Sequence, residues 1–284
     1  MANWRGEARA YVAVAAATFR QFSTYRLAAI AGLIANCTFG LIMAVTFRAA
    51  LLGRAELERA GLSAGGGAAA ARSILDGLTA QSIVTYTFAC QAIAMVVTAF
   101  GDYALSNRVR SGDIATDLGR PIDFSLFRLA HDLGRSAFHF LARGLSVMTV
   151  GWVAFRYPLP HAMAVVKFVP LMFLAAAIAS RLWTMIGLAS FWMRDGTGAV
   201  QLMVIFVAFG TGGHLPLQFY PTALKQVLRL LPFASMMGLP CGVLVGAESF
   251  VRVGALQLAW LVVLELALRL ELQRARFRLE LNGG

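Results

Sequence analysis

Apolar residues in this chain gather into six long runs that polar segments separate. The runs cover residues 27–47, 81–101, 137–155, 163–192, 199–213 and 253–270. A stretch of about 20 apolar residues is what a helix needs to cross the hydrocarbon core of a bilayer. The pattern therefore predicts an all-α integral membrane protein, with six transmembrane helices in a domain over residues 27–273 and a cytoplasmic tail over residues 274–284.

The residues before the first run show an amphipathic pattern instead. Apolar side chains recur at every third or fourth position, at Trp4, Ala8, Tyr11, Ala15, Phe19 and Phe22, and Arg5, Arg9 and Arg20 follow the flank of this stripe. Such a stripe is typical of a helix that lies in the membrane interface. Arginines interrupt the segment throughout, so we expect residues 1–26 to form an interfacial helix rather than a signal peptide.

Glycine and proline break the pattern between the fifth and sixth runs. The sequence GTGGHLPLQFYP at 210–221 cannot continue a helix. A short helical pattern follows, and then an apolar piece of about a dozen residues, which is the length of a re-entrant segment rather than a span. We expect region 210–252 to form a re-entrant helical segment that packs on protein before the last span.

Composition excludes a soluble globular protein. The mean hydropathy is +0.70, and only 14% of the residues are charged, whereas soluble domains carry about 25% charged residues. The net charge of +11 comes almost entirely from scattered arginines, which do not form the basic stripe of a protein that binds nucleic acid. Cys37, Cys90 and Cys241 lack the spacing of a disulfide framework or a zinc site.

The distribution of positive charge predicts the orientation in the membrane. If the N-terminus is inside, 14 Lys and Arg residues lie on the inner side of the six runs and 9 on the outer side. The positive-inside rule then places both termini in the cytoplasm. The segment over residues 50–80, with a glycine-rich stretch at 64–68, becomes an external linker.

The segment between the second and third runs, residues 102–136, is dense in charges of both signs. Five arginines and five aspartates balance each other there. Such a surface suits register and specificity at a protein interface better than attraction to anionic lipid. We interpret the segment as a coupling loop that docks on a soluble partner. The alternative is a solvated loop whose charges form local ion pairs.

The sequence offers no motif for chemistry within the chain. It contains no GxxxxGK[ST], GxSxG, HExxH or CxxC pattern, and these are the signatures of nucleotide, acyl-transfer, metalloprotease and thiol sites. The histidines at 131, 139, 161 and 214 lie apart from acids and nucleophiles in the arrangement of a catalytic triad. We therefore expect no catalytic residue, no cofactor site and no metal site in this chain.

Three ionisable residues within the apolar runs need partners, because an isolated charge is costly in hydrocarbon. Glu265 precedes Arg269 by four positions, which favours a helical ion pair. Arg143 lies near the end of its run, where it can snorkel. Arg181 lies deeper: it either lines a transport cavity or pairs with Glu265 or a backbone carbonyl of another helix.

Several sequence blocks together resemble ABC-2 type transporter permeases. They are FRQFSTYR at 19–26, RSGDIATDLGRPIDF at 110–124, and LPLQFYP at 215–221 followed by LPFAS at 231–235. The resemblance runs over nearly the whole chain. His214 and Arg181 depart from the pattern, since the family usually has apolar residues there.

The resemblance implies a type V exporter, in which two six-helix permeases pack side by side and rest on two copies of an ABC ATPase subunit. ATP and Mg²⁺ would bind to that partner, and the second permease would be the same or a homologous chain. The loop after the second span would dock on the ATPase, with the N-terminal helix nearby at the membrane surface. The ATPase contacts would be Arg108, Arg110, Gly112, Asp113, Asp117, Arg120 and Pro121.

The same resemblance assigns the other functional regions. Region 210–247 would cap the pathway on the outside, with gate residues Gly213, His214, Pro216, Phe219 and Pro221. The possible pathway residues are Phe88, Gln91, Arg181, Phe206 and Phe209. The expected function is ATP-driven export of a hydrophobic or amphipathic substrate, such as a drug, natural product, lipid or glycan, across a bacterial cytoplasmic membrane. A passive channel or a structural membrane scaffold is the alternative.

Overall fold

A computed structural model describes residues 4–59, 78–79, 81–98, 101–157, 159–193 and 196–283. All regular elements within these residues are helical, as the sequence predicts. Most of the expected external linker, residues 60–77, lies outside the described residues.

Twelve α-helices make up the described fold. They are α1 (Trp4–Ser23), α2 (Arg26–Arg59), α3 (Ser82–Ala94), α4 (Ala104–Ser111), α5 (Ile114–Leu118), α6 (Phe124–His139), α7 (Leu145–Phe155), α8 (Ala162–Leu188), α9 (Thr197–Gly210), α10 (Thr222–Leu230), α11 (Gly238–Leu244) and α12 (Phe250–Gly283). A π-helical turn, Phe140–Gly144, joins α6 to α7, and short 3-10 turns lie at Ala189–Phe191, Leu217–Phe219 and Ala234–Met236.

Four helical segments are long and apolar enough to cross a membrane. They are Ala29–Gly53 within α2, Phe124–Phe155, Ala162–Phe191 and Phe250–Arg278. Two further apolar helices, α3 and α9, correspond to the second and fifth runs but are shorter. The last helix continues to Gly283, so residues 274–283 extend the final span as helix.

Helix α6 begins well before the third apolar run. Hydropathy places the start of that span at residue 137, yet the helix starts at Phe124. Arg128 and Asp132 break the hydropathy pattern, but both side chains are buried and they form an ion pair at 3.6 Å. Because these charges turn toward other helices, the outer face stays apolar. The second half of the expected loop 102–136 therefore belongs to a long apolar helix.

Helix α3 has only 13 residues and ends at Ala94, inside the second apolar run. Residues 95–98 form a turn. Ser136 Oγ donates to the carbonyl oxygen of Val96 at 2.8 Å, and Trp183 Nε1 donates to that of Val97 at 3.0 Å. Irregular backbone inside an apolar bundle is tolerated where protein groups satisfy its polar atoms.

Helix α8 lies at the centre of the bundle. Helices α4, α6, α9, α11 and α12 all contact it, and its residues from Ala175 to Arg181 are all buried. Four of these seven residues are alanines, whose small side chains let neighbouring helices approach closely. Helix α2 packs at the edge of the bundle, against α3 and α7.

Helix α1 lies against α6. The rings of Phe19 and Phe138 meet edge to face at 5.7 Å. Gly134 of α6 lies where the two helices cross, and a methyl group at this position would overlap the backbone of Ala15. The apolar stripe that the sequence predicts on α1 therefore packs against α6.

The bundle has two distinct ends. The loop end contains α1, α4, α5, the start of α6, the end of α8 and the last turns of α12. Two contacts define it: the Asp123 backbone N–H donates to Tyr11 Oη of α1, and Arg278 of α12 donates to the carbonyl oxygen of Phe191 at 3.1 Å. The gate end contains the start of α3, the end of α9, and α10, α11 and the start of α12.

Replacing Gly134 with alanine tests the crossing of α1 and α6. We expect Gly134→Ala to lower the free energy of unfolding by about 2 kcal/mol, since extra volume in a tight contact forces the backbones apart. Thermal unfolding of the purified protein and protease cleavage of α1 provide the measurements. Gly198→Ala is the matched control, because a methyl group there meets open space. Equal stability of the two variants would contradict the crossing.

Candidate functional site

The predicted contact residues lie on α4, on α5 and in the two turns that follow these helices. Gly112 ends α4 with a φ of 82°, and its N–H donates to the carbonyl oxygen of Val109 at 3.3 Å. Glycine favours this left-handed conformation. Asp113 follows: its carboxylate accepts from Ser111 Oγ at 2.7 Å, and its carbonyl oxygen accepts from Thr116 Oγ1 at 2.6 Å. The two helices are thus joined by a tightly hydrogen-bonded turn.

Ile114 fixes this turn to the bundle. Its side chain is fully buried, and it belongs to an apolar cluster with Leu105 of α4, Leu188 of α8 and Leu268 of α12. Burying a side chain of this size contributes about 2 kcal/mol. Because the cluster joins four helices, the turn cannot shift without disturbing the end of α8.

Asp117 turns inward, away from the surface. It is only 9% exposed, and it pairs with Arg108 at 2.7 Å and with Arg120 at 3.2 Å. The guanidinium group of Arg120 also lies over the ring of Phe127, at 5.2 Å from its centre. Asp117 therefore positions two arginines and does not itself reach a partner.

The other predicted contact residues form one surface, which we call the turn face. Arg110, Gly112, Asp113, Arg120 and Pro121 are exposed, and Arg108 is partly exposed. The turn face therefore presents both signs of charge on a short helix–turn–helix unit at the loop end.

Helix α4 also contacts the end of α8 directly. The hydroxyl groups of Ser106 and Ser190 share a hydrogen bond of 2.7 Å. A methyl group at Gly187 of α8 would overlap the side chain of Leu105. Small and polar residues thus let α4 lie against the central helix.

A buried acid connects α6 to α8 below this contact. Asp132 accepts a hydrogen bond of 2.6 Å from Ser180 Oγ of α8, and it lies 3.6 Å from Arg128 and 3.7 Å from Arg135. Arg128 in turn pairs with Asp102, just before α4, at 3.2 Å. The charges of residues 102–136 therefore form a network in which ion pairs within the chain and an exposed turn face coexist.

Arg181 of α8 is paired rather than open to a cavity. It is 2% exposed, lies 2.9 Å from Glu265 of α12, and donates to the carbonyl oxygen of Ser125 at 2.9 Å. Glu265 also accepts from Ser125 Oγ at 3.0 Å and from Arg269 at 2.7 Å. Both partners named from the sequence, an interhelical carboxylate and a backbone carbonyl, are therefore present, and so is the Glu265–Arg269 helical pair.

The other possible pathway residues lie in two different environments. Phe88 is fully buried, and a methyl group at Gly151 would overlap its ring. Gln91 is also buried, and its backbone carbonyl accepts from Asn36 of α2 at 3.5 Å. Phe206 and Phe209 of α9 are 50% and 62% exposed. The structure thus places one pair in the core and the other on an open apolar face.

The predicted gate residues all lie at the gate end. Gly213 and Pro216 are buried, and a methyl group at Gly213 would overlap Met237. The ring of Phe219 lies 5.4 Å from that of Phe47 of α2. Pro221 is exposed and immediately precedes α10. These residues belong to an irregular segment without a continuous helix, and this segment packs on α2 and on the residues before α11.

His214 is partly buried in this segment. Its Nδ1 atom is inaccessible and has no hydrogen-bond partner among the described residues. Burial lowers the pKa of His214 below its usual value because it disfavours the charged form. The imidazole ring is therefore neutral at neutral pH.

Two buried polar residues that the sequence did not single out hold the gate end together. Gln257 of α12 donates from Nε2 to the carbonyl oxygens of Leu171 at 3.0 Å and Ser235 at 2.8 Å. Tyr86 of α3 donates to the carbonyl oxygen of Gly212 at 2.8 Å. The sequence contains one indication of this role for Gln257: it is an amide side chain inside an apolar run, and such a side chain needs a hydrogen-bond partner in the bundle.

The described residues contain no group of three or more His, Cys, Asp or Glu side chains placed to hold a metal ion. The densest polar cluster among them is the ion-pair network of the loop end. Together, the long apolar helices and the charges buried between them indicate a multi-pass membrane protein.

Comparison with known protein families identifies the class more closely. Residues 70–283 match the model of a family described as ABC-2 family transporter protein. The chain therefore belongs to the ABC-2 transporter family, as the sequence blocks indicate. Searches of curated proteins and of solved structures return no match.

The Arg181–Glu265 pair predicts that removing Glu265 lowers the stability of the protein more than removing Arg181. Glu265→Gln leaves Arg181 buried without a carboxylate, so we expect a loss of about 3 kcal/mol in the free energy of unfolding. Arg181→Met should cost less, because Glu265 keeps Arg269 and Ser125 as partners. Thermal unfolding of the two purified variants gives the comparison. A larger loss in Arg181→Met would contradict this pairing.

Proposed function

We propose that the chain is the permease subunit of an ATP-binding cassette exporter, driven by ATP that a separate ATPase subunit binds with Mg²⁺ and hydrolyses. The observation that carries this proposal is the turn face. Its charged residues are exposed or partly exposed, while the buried Ile114 holds the turn to the bundle. A docking surface that transmits motion must be both accessible and firmly attached.

The composition of the turn face supports a protein partner. Arg110, Asp113 and Arg120 place opposite charges close together on an exposed surface. Mixed charge of this kind sets register and discriminates between partners. Each permease would dock in this way on one of two ATPase subunits, with α1 beside the turn.

The contacts of α4 suggest how ATP hydrolysis drives the bundle. Closure of the two ATPase subunits would displace the turn, and Ile114 and the Ser106–Ser190 hydrogen bond would carry the displacement to α8. Because packed interfaces switch between discrete arrangements, the helices that surround α8 would move as units. This assigns the turn the role of a lever.

The open apolar faces of α2 and α9 support a second permease, the same or a homologous chain. Large exposed side chains on these faces include Ile34, Phe39, Ile42, Leu202, Ile205, Phe206 and Phe209. Packing two copies across these faces would frame a path lined by apolar and aromatic groups. Such a path suits a hydrophobic or amphipathic substrate, such as a drug, natural product, lipid or glycan, with Phe206 and Phe209 as contacts.

Contacts at the gate end support six spans and a re-entrant segment. Ser235 lies beside Gln257 and Leu171, which are about 10 and 14 Å inside the gate-end starts of their helices at 1.5 Å per residue. Trp260 Nε1 donates to the carbonyl oxygen of Leu230 at 2.9 Å. The chain would thus enter and leave the membrane between α9 and α12, while α3 and α9 would complete the six spans.

The distribution of arginine supports a cytoplasmic loop end. Arginines of α1, the turn and the last turns of α12 all lie at this end. By the positive-inside rule, both termini and the turn face would then lie in the cytoplasm, and we take the cell to be bacterial. The gate residues would face the outside.

Charge reversal on the turn face tests the proposal. We expect Asp113→Arg and Arg120→Glu each to reduce substrate export by about tenfold or more, because like charges then meet across the ATPase interface. Transport and ATP turnover are measured in proteoliposomes that hold the permease and its co-encoded ATPase. Lys167→Glu is the matched control, since Lys167 is exposed near the gate-end start of α8.

The outcomes separate the alternatives. ATP turnover by the purified chain alone would overturn the proposal. Substrate flux that needs no ATPase and is unchanged in both variants would identify a passive channel. No flux under any condition, with normal membrane insertion, would indicate a structural scaffold.

A further inference from the structure

A groove on the outer surface of the loop end has no role in the proposed transport cycle. It lies between the end of α8 and the last turns of α12 and has a volume of about 640 Å³. Its walls are mainly apolar, from Met185, Ile186, Ala189, Trp192, Ala267 and Leu270. Large apolar side chains remain exposed on both flanks, including Leu270 at 58% and Met193 at 45%. The groove therefore opens toward the acyl chains of the surrounding lipid.

One acid in this groove lacks a partner. Glu271 lines it, and its Oε2 atom is buried without a hydrogen bond. Within the described residues Glu271 has no ion pair, in contrast to Glu265 and Glu248, which pair with arginines. A carboxylate among apolar side chains is unfavourable unless a cation or donor meets it. Among the residues that the structure describes, no group donates a hydrogen bond to this Oε2 atom.

Arginine and tryptophan lie at the mouth of the same groove. Arg274, one turn beyond Glu271, lines the groove and is exposed. The guanidinium group of Arg278 lies 6.0 Å from the ring of Trp192, and Trp192 is 41% exposed. Tryptophan and arginine at a helix end are typical of the headgroup level of a membrane. A phosphate at this level would meet Arg274.

We propose that this groove binds a phospholipid with a primary ammonium headgroup, phosphatidylethanolamine. The ammonium group donates to Glu271, the phosphate accepts from Arg274, and an acyl chain lies along the apolar walls. The headgroup supplies three N–H donors on one cation, which satisfies the buried Oε2 atom. This site is independent of ATP coupling and of the turn face.

The chemistry of the groove discriminates between common lipids. Phosphatidylcholine carries a quaternary ammonium without N–H donors, so it cannot hydrogen-bond to Glu271. Phosphatidylglycerol has no cation and places its net negative charge near the carboxylate. A basic segment of a partner protein would also meet the acid, but the exposed apolar flanks favour an amphiphile over a polar chain.

Lipid retention by the whole purified chain tests the site. The protein is equilibrated in micelles with equal amounts of phosphatidylethanolamine, phosphatidylcholine and phosphatidylglycerol, and the lipid that stays bound is quantified by mass spectrometry. We expect phosphatidylethanolamine to exceed phosphatidylcholine by about tenfold, the effect of one charge-assisted hydrogen bond. Comparing these two lipids on the unmodified protein requires no variant.

Variants then locate the site. Glu271→Gln should remove the preference for phosphatidylethanolamine, and Arg274→Gln should reduce retention of all three lipids. Arg276→Gln is the matched control, because Arg276 is exposed on the same helix but lines other grooves. Equal retention of the three lipids by the unmodified chain would overturn the proposal, and so would an unchanged preference in a folded Glu271→Gln protein.

Discussion

The buried charges around α8 are the constraint on which the rest of the structure depends. Arg181 and Asp132 are both almost inaccessible, and burial of an unpaired charge would cost far more than any single apolar contact returns. Arg181 of α8 meets Glu265 of α12 and the carbonyl oxygen of Ser125 of α6, and Asp132 of α6 accepts a hydrogen bond from Ser180 Oγ of α8. The positions of these three helices relative to one another are therefore fixed by the need to satisfy the charges.

The two ends of the bundle are held by different proportions of charged and neutral bonds. At the loop end, carboxylates and guanidinium groups join α6, α8 and α12, as in the Arg181–Glu265 pair. At the gate end, neutral groups such as Gln257 and Tyr86 reach backbone carbonyls, and one ion pair joins Arg229 to Glu248 at 2.6 Å. Charge-assisted bonds are about twice as strong as neutral ones. Because most of the described ion pairs lie at the loop end, that end is bound together more strongly.

The sequence predicts the long helices well, because an apolar run as long as 163–192, which covers most of α8, is typical of a membrane-crossing helix. It fails where tertiary contacts override hydropathy. The start of α6 at Phe124 is invisible to hydropathy because Arg128 and Asp132 satisfy each other inside the bundle. The early end of α3 is equally hidden, since it depends on Ser136, which lies far along the chain.

For the candidate site, the sequence identifies the segment but not the orientation of its side chains. Alternating Arg and Asp residues predict either a docking surface or local ion pairs, and the fold contains local ion pairs beside an exposed turn, while docking stays a prediction. Ile114 is the residue that separates the two roles, because its burial turns Asp117 inward toward Arg108. The neighbouring Asp113 stays at the surface as a result. Contacts within the chain therefore orient the arginines of the turn face in advance, and a partner that docked there would lose less side-chain entropy.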